Sequence, residues 1–336
     1  DGFCGIHIRK YINYLLFLQS MKIRGILPCL ASAILLLGGC DRGEIGYSYT
    51  DTSSRASVLI FYAAASNNNL SSYISRNIGD ISNGLLPGKS SKEAILIYAN
   101  TDNGASYLRR VTSGESGIAA SDTLLTIEAG RSASDPEIMA RVLGKVLEEF
   151  PEEENSFTMI LSSHGTGWFP VWAENENEDL NIGWGYSAPR RKTFGNEKVN
   201  GTLYDINIPE LVDAIPMKLD CLVFDACLMG GIEVAYQFRN KVVKLCCSPA
   251  EVPGRGYIYD NIGGDLFGEG GSPEKFSRAY YEHYRDALET GTPSEDSYYG
   301  ATSTTVDCSR LEPLALLCSG LFEKYRSKIA AVNAEK

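Results

Sequence analysis

The sequence predicts an α/β fold with a mainly parallel central sheet that is covered by helices on both faces. First, short apolar runs alternate with amphipathic segments along the chain, as strands and crossover helices do. Second, 336 residues with 44% apolar and 22% charged side chains are typical of a globular protein with ample material for a core. Third, no internal repeat is visible. We therefore expect one domain over residues 57–336.

The first half of this domain is predicted to contain four strands and two helices. The best-marked element is a helix over 135–150, because Asp135 can cap its first turn and Pro136 lies in that turn. Its apolar side chains lie on one face, namely Ile138, Val142, Val146 and Leu147. The strands are predicted over 57–64, 94–99, 107–112 and 123–127, and the second helix over 70–81.

The second half continues the alternation after a strand over 157–161. Residues 168–202 show little regular pattern and are predicted to form a long loop. The later helices are predicted over 208–215, 229–238, 274–288 and 311–329, and the later strands over 219–224, 242–247 and 299–306. Since no closing element follows 330–336, we expect that C-terminal parts of the domain are missing from this sequence.

Cys227 stands just after the apolar run 219–224, at the carboxyl edge of the predicted sheet. With a helix predicted from residue 229, free backbone N–H groups and the helix dipole would favour a thiolate at this place. Open α/β sheets also bind their ligands in the crevice at this edge. The alternative is an inert Cys227, because an unpaired cysteine is usually a small buried hydrophobe.

His164 has the matching position after the strand predicted over 157–161, with two glycines close behind it. It is one of three histidines; His7 precedes a targeting segment, and His283 falls on a predicted helix. His164 is therefore the candidate for an imidazole base. A cysteine and a histidine at two strand ends are the nucleophile and base that cysteine chemistry requires. No third residue that orients His164 can be picked from the sequence.

Three motifs follow predicted strands: Ser163-His164-Gly165-Thr166-Gly167-Trp168, Phe224-Asp225-Ala226-Cys227-Leu228-Met229-Gly230 and Ser248-Pro249-Ala250-Glu251-Val252-Pro253-Gly254. They resemble the signature blocks of the clostripain family of cysteine endopeptidases. The run Phe61-Tyr62-Ala63-Ala64-Ala65-Ser66-Asn67-Asn68-Asn69-Leu70 is similar to that family's first strand and Asn-rich turn, although members more often carry Gly-Asp or Ala-Asp at 65–66. The resemblance implies a caspase-like fold and cleavage after Arg or Lys.

The resemblance also implies roles for individual residues. Cys227 attacks the scissile carbonyl, and His164 takes its proton or pairs with a preformed thiolate. The backbone N–H groups of Gly165 and Cys227 hold the oxyanion. Asp225 matches the family's carboxylate for the P1 side chain, with a capping role at the strand end as the alternative. Glu251 is a second pocket candidate, because its loop is predicted on the same sheet edge.

The long loop carries an acidic stretch at 174–179 and the basic triplet Arg190-Arg191-Lys192. In a peptidase directed at Arg or Lys, such a triplet near the active site is a candidate for self-cleavage. The alternative is a solvated surface loop with no such role.

The N-terminal residues 1–40 are predicted to be a signal region. Met21-Lys22-Ile23-Arg24 and the apolar 25–37 form a short basic and then an apolar segment. Leu37-Gly38-Gly39-Cys40 resembles a bacterial lipoprotein box, so Cys40 is expected to be the lipidated first residue and 41–56 a tether. Translation is expected from Met21, without 1–20. The alternatives are a plain secretory signal or an N-terminal membrane anchor.

These features define the expected partners and location. The formal net charge of −11 argues against a nucleic-acid partner. We expect polypeptide substrates with a basic P1 residue, and a bacterial envelope protein held outside the cytoplasm by its lipid, or a secreted one. No CxxC spacing suggests metal, most cysteines are predicted to be buried thiols, and no cofactor is expected to be required, with calcium left open.

Two other functions remain open at this point. One is a catalytically silent, lipid-anchored binding protein on the same scaffold, which the presence of both His164 and Cys227 disfavours. The other is a different acyl-transfer enzyme with the same dyad, such as an amidase or a transpeptidase.

Overall fold

The computed structural model describes residues 55–84, 86–114, 119–168, 193–267, 271–290 and 301–334, which all belong to the unit Thr52–Lys336. The strands in this part of the chain are β1 (Ala56–Ala64), β2 (Ala94–Asn100), β3 (Ser106–Ser113), β4 (Ala119–Ile127), β5 (Asn155–Ser162), β6 (His164–Gly165), β7 (Thr193–Val199), β8 (Thr202–Asn207), β9 (Leu219–Asp225), β10 (Val242–Cys247) and β11 (Thr304–Asp307). The helices are α1 (Ser71–Asn83), α2 (Pro136–Glu149), α3 (Ile208–Ala214), α4 (Ile232–Phe238), α5 (Ile262–Asp265), α6 (Pro273–Thr290) and α7 (Leu311–Ala334).

Eight strands form one sheet in the order β11-β10-β9-β5-β1-β2-β3-β4. The five central strands from β10 to β2 are parallel to their neighbours, whereas β11, β3 and β4 pair antiparallel at the two edges. Parallel neighbours require crossover connections, and these place helices on the faces of the sheet. The predicted mainly parallel sheet is therefore confirmed.

The sheet separates two hydrophobic cores, because successive strand residues point to opposite faces. One core joins the sheet to α2, α3 and α4 through side chains such as Val142, Leu211 and Phe238. The other joins it to α1, α5 and α6 through Ile74, Phe276 and other apolar side chains. Both faces are thus covered by helices, as the alternating pattern predicted. Asp135 accepts a hydrogen bond from the backbone N–H of Glu137, which confirms it as the cap of α2.

A second sheet of three strands, in the order β6-β7-β8, was not predicted. The loop predicted over 168–202 is wrong for its last residues, because Thr193–Val199 form β7. The antiparallel pairs His164↔Gly195 and Gly165↔Phe194 join β6 to β7. The histidine motif is therefore part of a small sheet, and it does not simply end β5.

Two other boundaries also differ from the prediction. The helix predicted from Met229 begins only at Ile232, because Leu228 has a positive φ of 64° and the chain turns before α4. The last strand begins at Thr304, not at 299. Cys221, Cys246, Cys247 and Cys308 are buried free thiols, as expected. None of the helices in the described ranges is long and apolar enough to cross a membrane.

Candidate active site

Three neighbouring parallel strands bring the candidate site together at one edge of the sheet. In the order β9-β5-β1, Asp225 is in register with Ser162, and Ser162 is in register with Ala63. Cys227 follows β9 by two residues, and His164 follows β5 by two residues. The backbone N–H of Ser163 donates to the carbonyl of Asp225 at 3.3 Å, which ties the two strand ends to each other.

The histidine and cysteine segments touch through glycine. A Cβ atom at position 165 would lie 2.6 Å from the carbonyl oxygen of Cys227, and one at position 167 would lie 2.5 Å from that of Leu228. Gly167 also has a φ of +64°, a conformation that favours glycine. Any larger side chain at these two positions would push the segments apart. The backbone segments that carry His164 and Cys227 therefore lie against each other at this edge of the sheet.

The thiol of Cys227 is held by the loop that follows β10. The backbone N–H of Val252 donates to Cys227 Sγ at 3.3 Å. Burial raises the pKa of Cys227 and the negative charge of Glu251 raises it further, whereas the Val252 N–H lowers it. The expected helix dipole does not act on this thiol, because α4 begins five residues later at Ile232. These surroundings favour a protonated thiol in the free protein, so the expectation that the helix dipole favours a thiolate here was wrong.

The imidazole of His164 is half-buried and contacts one side chain that the sequence analysis did not single out. Its Nε2 lies 2.8 Å from Oδ1 of Asn69, in the turn after β1. Burial lowers the pKa of His164, which favours the neutral imidazole of a general base. The Asn-rich turn was visible in the sequence, but nothing in it indicated which asparagine would reach His164.

Asp225 is buried, with 5% of its surface exposed. One carboxylate oxygen accepts from the backbone N–H of Tyr257 at 3.2 Å; the other accepts from the hydroxyls of Tyr259 at 2.7 Å and Ser162 at 3.2 Å. Burial raises the pKa of Asp225 to about 6, although these hydrogen bonds lower it. The group is anionic at neutral pH and lies under a tyrosine-rich segment, whereas Glu251 is exposed at the rim.

Glu197 is a second residue that the sequence analysis missed. This β7 side chain is fully buried and accepts hydrogen bonds from Ser66 N at 3.2 Å, Ser132 Oγ at 2.5 Å and Ser134 N at 2.7 Å. Burial raises its pKa. Glu197 joins the small sheet that carries His164 to the loops at the edge of the large one. The sequence did not indicate that Glu197 is buried, because glutamate is rarely found in a protein core.

The candidate residues for lipidation and self-cleavage lie outside the described ranges, and the described residues offer no cluster of metal ligands. Cys40 and the triplet Arg190-Arg191-Lys192 lie outside the described residues. Within the described ranges, no group of three or more His, Cys, Asp and Glu side chains could hold a metal ion.

Comparison with known proteins identifies relatives of this chain. A model of the clostripain family matches residues 61–334. Clostripain from Hathewaya histolytica is 32% identical over 137 residues, which are 38% of this chain and 23% of that protein. The chain therefore aligns with less than a quarter of that relative's length.

Two crystal structures have a similar fold. One is a secreted C11 cysteine protease from Bacteroides thetaiotaomicron in complex with an irreversible peptide inhibitor, with a TM-score of 0.64, 24% identity, and coverage of 78% of this chain and 69% of that one. The other is an inactive zymogen C11 protease from Parabacteroides distasonis, with a TM-score of 0.59, 25% identity, and coverage of 80% and 66%. The predicted caspase-like fold is thereby confirmed. Because the family model spans nearly the whole described domain, the chain belongs to the clostripain family of cysteine-type peptidases.

Proposed function

We propose that this peptidase cleaves polypeptides after Arg or Lys, with Cys227 as nucleophile and His164 as general base. The observation that carries the proposal is the close approach of the two segments, in which position 165 lies against the carbonyl of Cys227. A nucleophile and a base at adjoining strand ends are the parts that acyl transfer requires.

The opposite pKa shifts favour a neutral dyad in the free enzyme. Burial lowers the pKa of His164 and raises that of Cys227, so the proton stays on sulfur until substrate binds. His164 then takes this proton as Sγ attacks the scissile carbonyl carbon, and the carbonyl oxygen becomes an oxyanion. The N–H groups of Gly165 and Cys227 are the proposed donors to that oxyanion.

Collapse of the tetrahedral intermediate completes the reaction. The C–N bond breaks, His164 gives its proton to the departing amine, and an acyl-enzyme remains on Cys227. Water then adds to the thioester carbonyl and loses a proton to His164. Release of the new carboxyl group returns that proton to sulfur.

The preference for a basic P1 residue is assigned to Asp225. Its carboxylate is the charge buried next to the nucleophile segment, and it is anionic above its pKa of about 6. Arg is expected to be preferred to Lys, because a guanidinium can donate two parallel hydrogen bonds to a carboxylate. Glu251 is a second candidate, placed at the exposed rim beside Val252.

The first experiment tests the dyad. Cys227→Ala and His164→Ala should each abolish cleavage of fluorogenic peptides with Arg or Lys at P1, while circular dichroism and the melting temperature stay near wild type. The matched controls are Cys318→Ala on α7 and His283→Ala on α6, which should stay active. A Cys227→Ala protein that still cleaves at near wild-type rate would refute the proposal.

We also propose lipidation at Cys40 and self-cleavage at the basic triplet, each on sequence grounds. For Cys40 the support is the box Leu37-Gly38-Gly39-Cys40, which would place the enzyme on the outer side of a bacterial membrane. Expressed in bacteria with a labelled fatty acid, the protein should take up label, and Cys40→Ser should not. Cys29→Ser, within the leader, should keep it. Equal labelling of wild type and Cys40→Ser would exclude lipidation at this residue.

A further inference from the structure

We infer that Asn69 is a positioning residue for the base of this peptidase: its side-chain oxygen holds Nε2–H of His164 and leaves Nδ1 to take the proton of Cys227. The contact that carries this inference is the 2.8 Å distance between Asn69 Oδ1 and His164 Nε2. The inference rests on the proposed dyad, since a positioning role has meaning only if His164 is the base.

The sheet order places Asn69 where a third member of the site would lie. Cys227, His164 and Asn69 each follow a strand, and the three strands β9, β5 and β1 are consecutive neighbours in one parallel sheet. The carboxyl ends of parallel strands meet at the same edge. The site is therefore built by three adjacent strand ends, and His164 comes from the middle one.

The turn that carries Asn69 is held firmly against the small sheet. The side-chain amide of Asn67 donates to the carbonyl of Lys198 at 2.9 Å, and that of Asn68 donates to the carbonyl of Asn196 at 3.1 Å. Both acceptors lie on β7, which pairs with the strand of His164. The first two asparagines fix the turn to the backbone of β7, and the third contacts the imidazole ring.

The chemistry follows from the acceptor at Nε2. A neutral imidazole carries one proton, and the hydrogen bond made by one ring nitrogen sets which nitrogen holds it. An oxygen at Nε2 selects the tautomer with the proton there, so the lone pair is on Nδ1. When His164 takes the second proton, the same oxygen stabilises the imidazolium, because hydrogen bonds to charged groups are stronger than those to neutral ones.

Asn69 is the polar side chain that acts on this ring within the described residues. Burial lowers the pKa of His164. Cys227 and Asp225 are the titratable groups on the neighbouring segment, and Glu251 lies in the loop that contacts Cys227. A change at Asn69 should therefore appear directly in the titration of the base.

The test compares two asparagines of the same turn. Asn69→Ala removes the contact with His164, whereas Asn68→Ala removes the bond to Asn196 and the acceptor for the backbone N–H of Leu70. If Asn69 positions the base, Asn69→Ala should lower kcat about 10- to 100-fold, the range of one hydrogen bond to a charged group. Asn68→Ala should stay within about threefold, because Asn67 still bonds Asn103 and the carbonyl of Lys198 and keeps the turn against β7. Melting temperatures should be recorded for both.

A third variant separates positioning from folding by its pH profile. The profile is measured with a peptide that has a neutral P1 residue, so that Asp225, whose pKa is about 6, does not contribute to it. With a neutral dyad, kcat/KM for this peptide rises with pH through the pKa of the base in the free enzyme. Asn69→Asp keeps an acceptor and adds a negative charge, so it should restore most of kcat and move this rise to higher pH. Asn69→Ala should move it to lower pH, because the imidazolium loses its acceptor. A role limited to folding would not shift the rise in opposite directions.

His164→Ala is run beside these variants to separate two failures. If His164→Ala stays active, the proposed dyad is wrong and Asn69 has no base to position. If His164→Ala is inactive while Asn69→Ala keeps wild-type kcat and pH profile, the dyad stands and the inference about Asn69 is overturned. Equal losses in Asn69→Ala and Asn68→Ala, with unmoved profiles, would also overturn it.

Discussion

Asp225 is a buried carboxylate, and two of its three hydrogen-bond partners are hydroxyls that can act either as donors or as acceptors. The hydroxyls of Ser162 and Tyr259 each donate to one of its oxygens, and the backbone N–H of Tyr257 donates to the other. A hydroxyl can accept as well as donate. An amide at position 225 can therefore keep its oxygen toward Tyr257 and turn its NH₂ group to the two hydroxyls. The structure thus allows the charge to be removed with little change in shape.

Asp225→Asn should selectively weaken cleavage after basic residues. Losing one partner of a buried charged pair costs about 2–5 kcal/mol, so kcat/KM for Arg peptides should fall by roughly one and a half to three and a half decades. Peptides with a neutral P1 residue should fall far less. In wild type, KM for Arg peptides should rise as pH falls below about 6, because Asp225 is then protonated.

The control for this prediction is Asp220→Asn, which changes an aspartate near the opposite end of β9. Asp220 accepts from Arg55 and from the backbone N–H of Phe157, so its loss should not depend on the P1 residue. If Asp225→Asn reduces Arg, Lys and neutral substrates equally, Asp225 supports the fold or the dyad, and the pocket carboxylate must be sought at Glu251.

At the scale of elements, sequence periodicity predicted the strands and helices that bury apolar side chains. It missed the elements whose position depends on tertiary contacts. The parallel strands and most helices were predictable, because each buries a continuous apolar run or one apolar face. The strand β7 was not, since its sequence Thr-Phe-Gly-Asn-Glu-Lys-Val contains residues that disfavour strands. The late start of α4 was also missed, because it depends on the turn made at Leu228 against the neighbouring loop.

Glu197 holds β7 in place through three donors, and the unfolding free energy should show its contribution. Glu197→Gln places an NH₂ group opposite the backbone N–H of either Ser66 or Ser134. The N–H of Ser66 would then lose its acceptor, whereas that of Ser134 would keep only the weaker contact with Ser132 Oγ at 3.0 Å. The unfolding free energy should fall by about 1–3 kcal/mol, measured by chemical denaturation. Activity should fall with it, because β7 supports the strand of His164.

Glu210→Gln is the matched control on α3. Its exposed side chain accepts from Asn207 at the start of that helix, and glutamine can still accept there. The change should cost less than about 0.5 kcal/mol. If Glu197→Gln is equally harmless, the buried carboxylate does not hold the small sheet in place.

At the scale of the whole molecule, the large sheet is built from both sides of the segment 169–192. β1 to β5 precede that segment and β9 to β11 follow it, yet β5 and β9 are direct neighbours with five residue pairs in register. The small sheet is divided in the same way, because β6 precedes the segment and β7 follows it. A cut within the segment would leave all of these pairings intact.

Self-cleavage at Arg190-Arg191-Lys192 should therefore give two fragments that stay together. Wild type should show two bands on a denaturing gel, with the new N-terminus at the triplet, and a single peak of unchanged size on native gel filtration. Cys227→Ala should give one band. Fragments that separate on the native column would contradict the shared sheet, and a fully active intact chain would show that the triplet is only a surface loop.

The shared sheet also determines how the two proposed catalytic residues are distributed between the fragments of a cut chain. His164 lies before the segment 169–192 and Cys227 lies after it. An enzyme cut there would keep the proposed base on one polypeptide and the proposed nucleophile on the other, and neither half alone would hold both. Catalysis by the cut enzyme would therefore require that the two fragments stay associated. Separation of β5 from β9 would abolish activity without any chemical change to a catalytic residue.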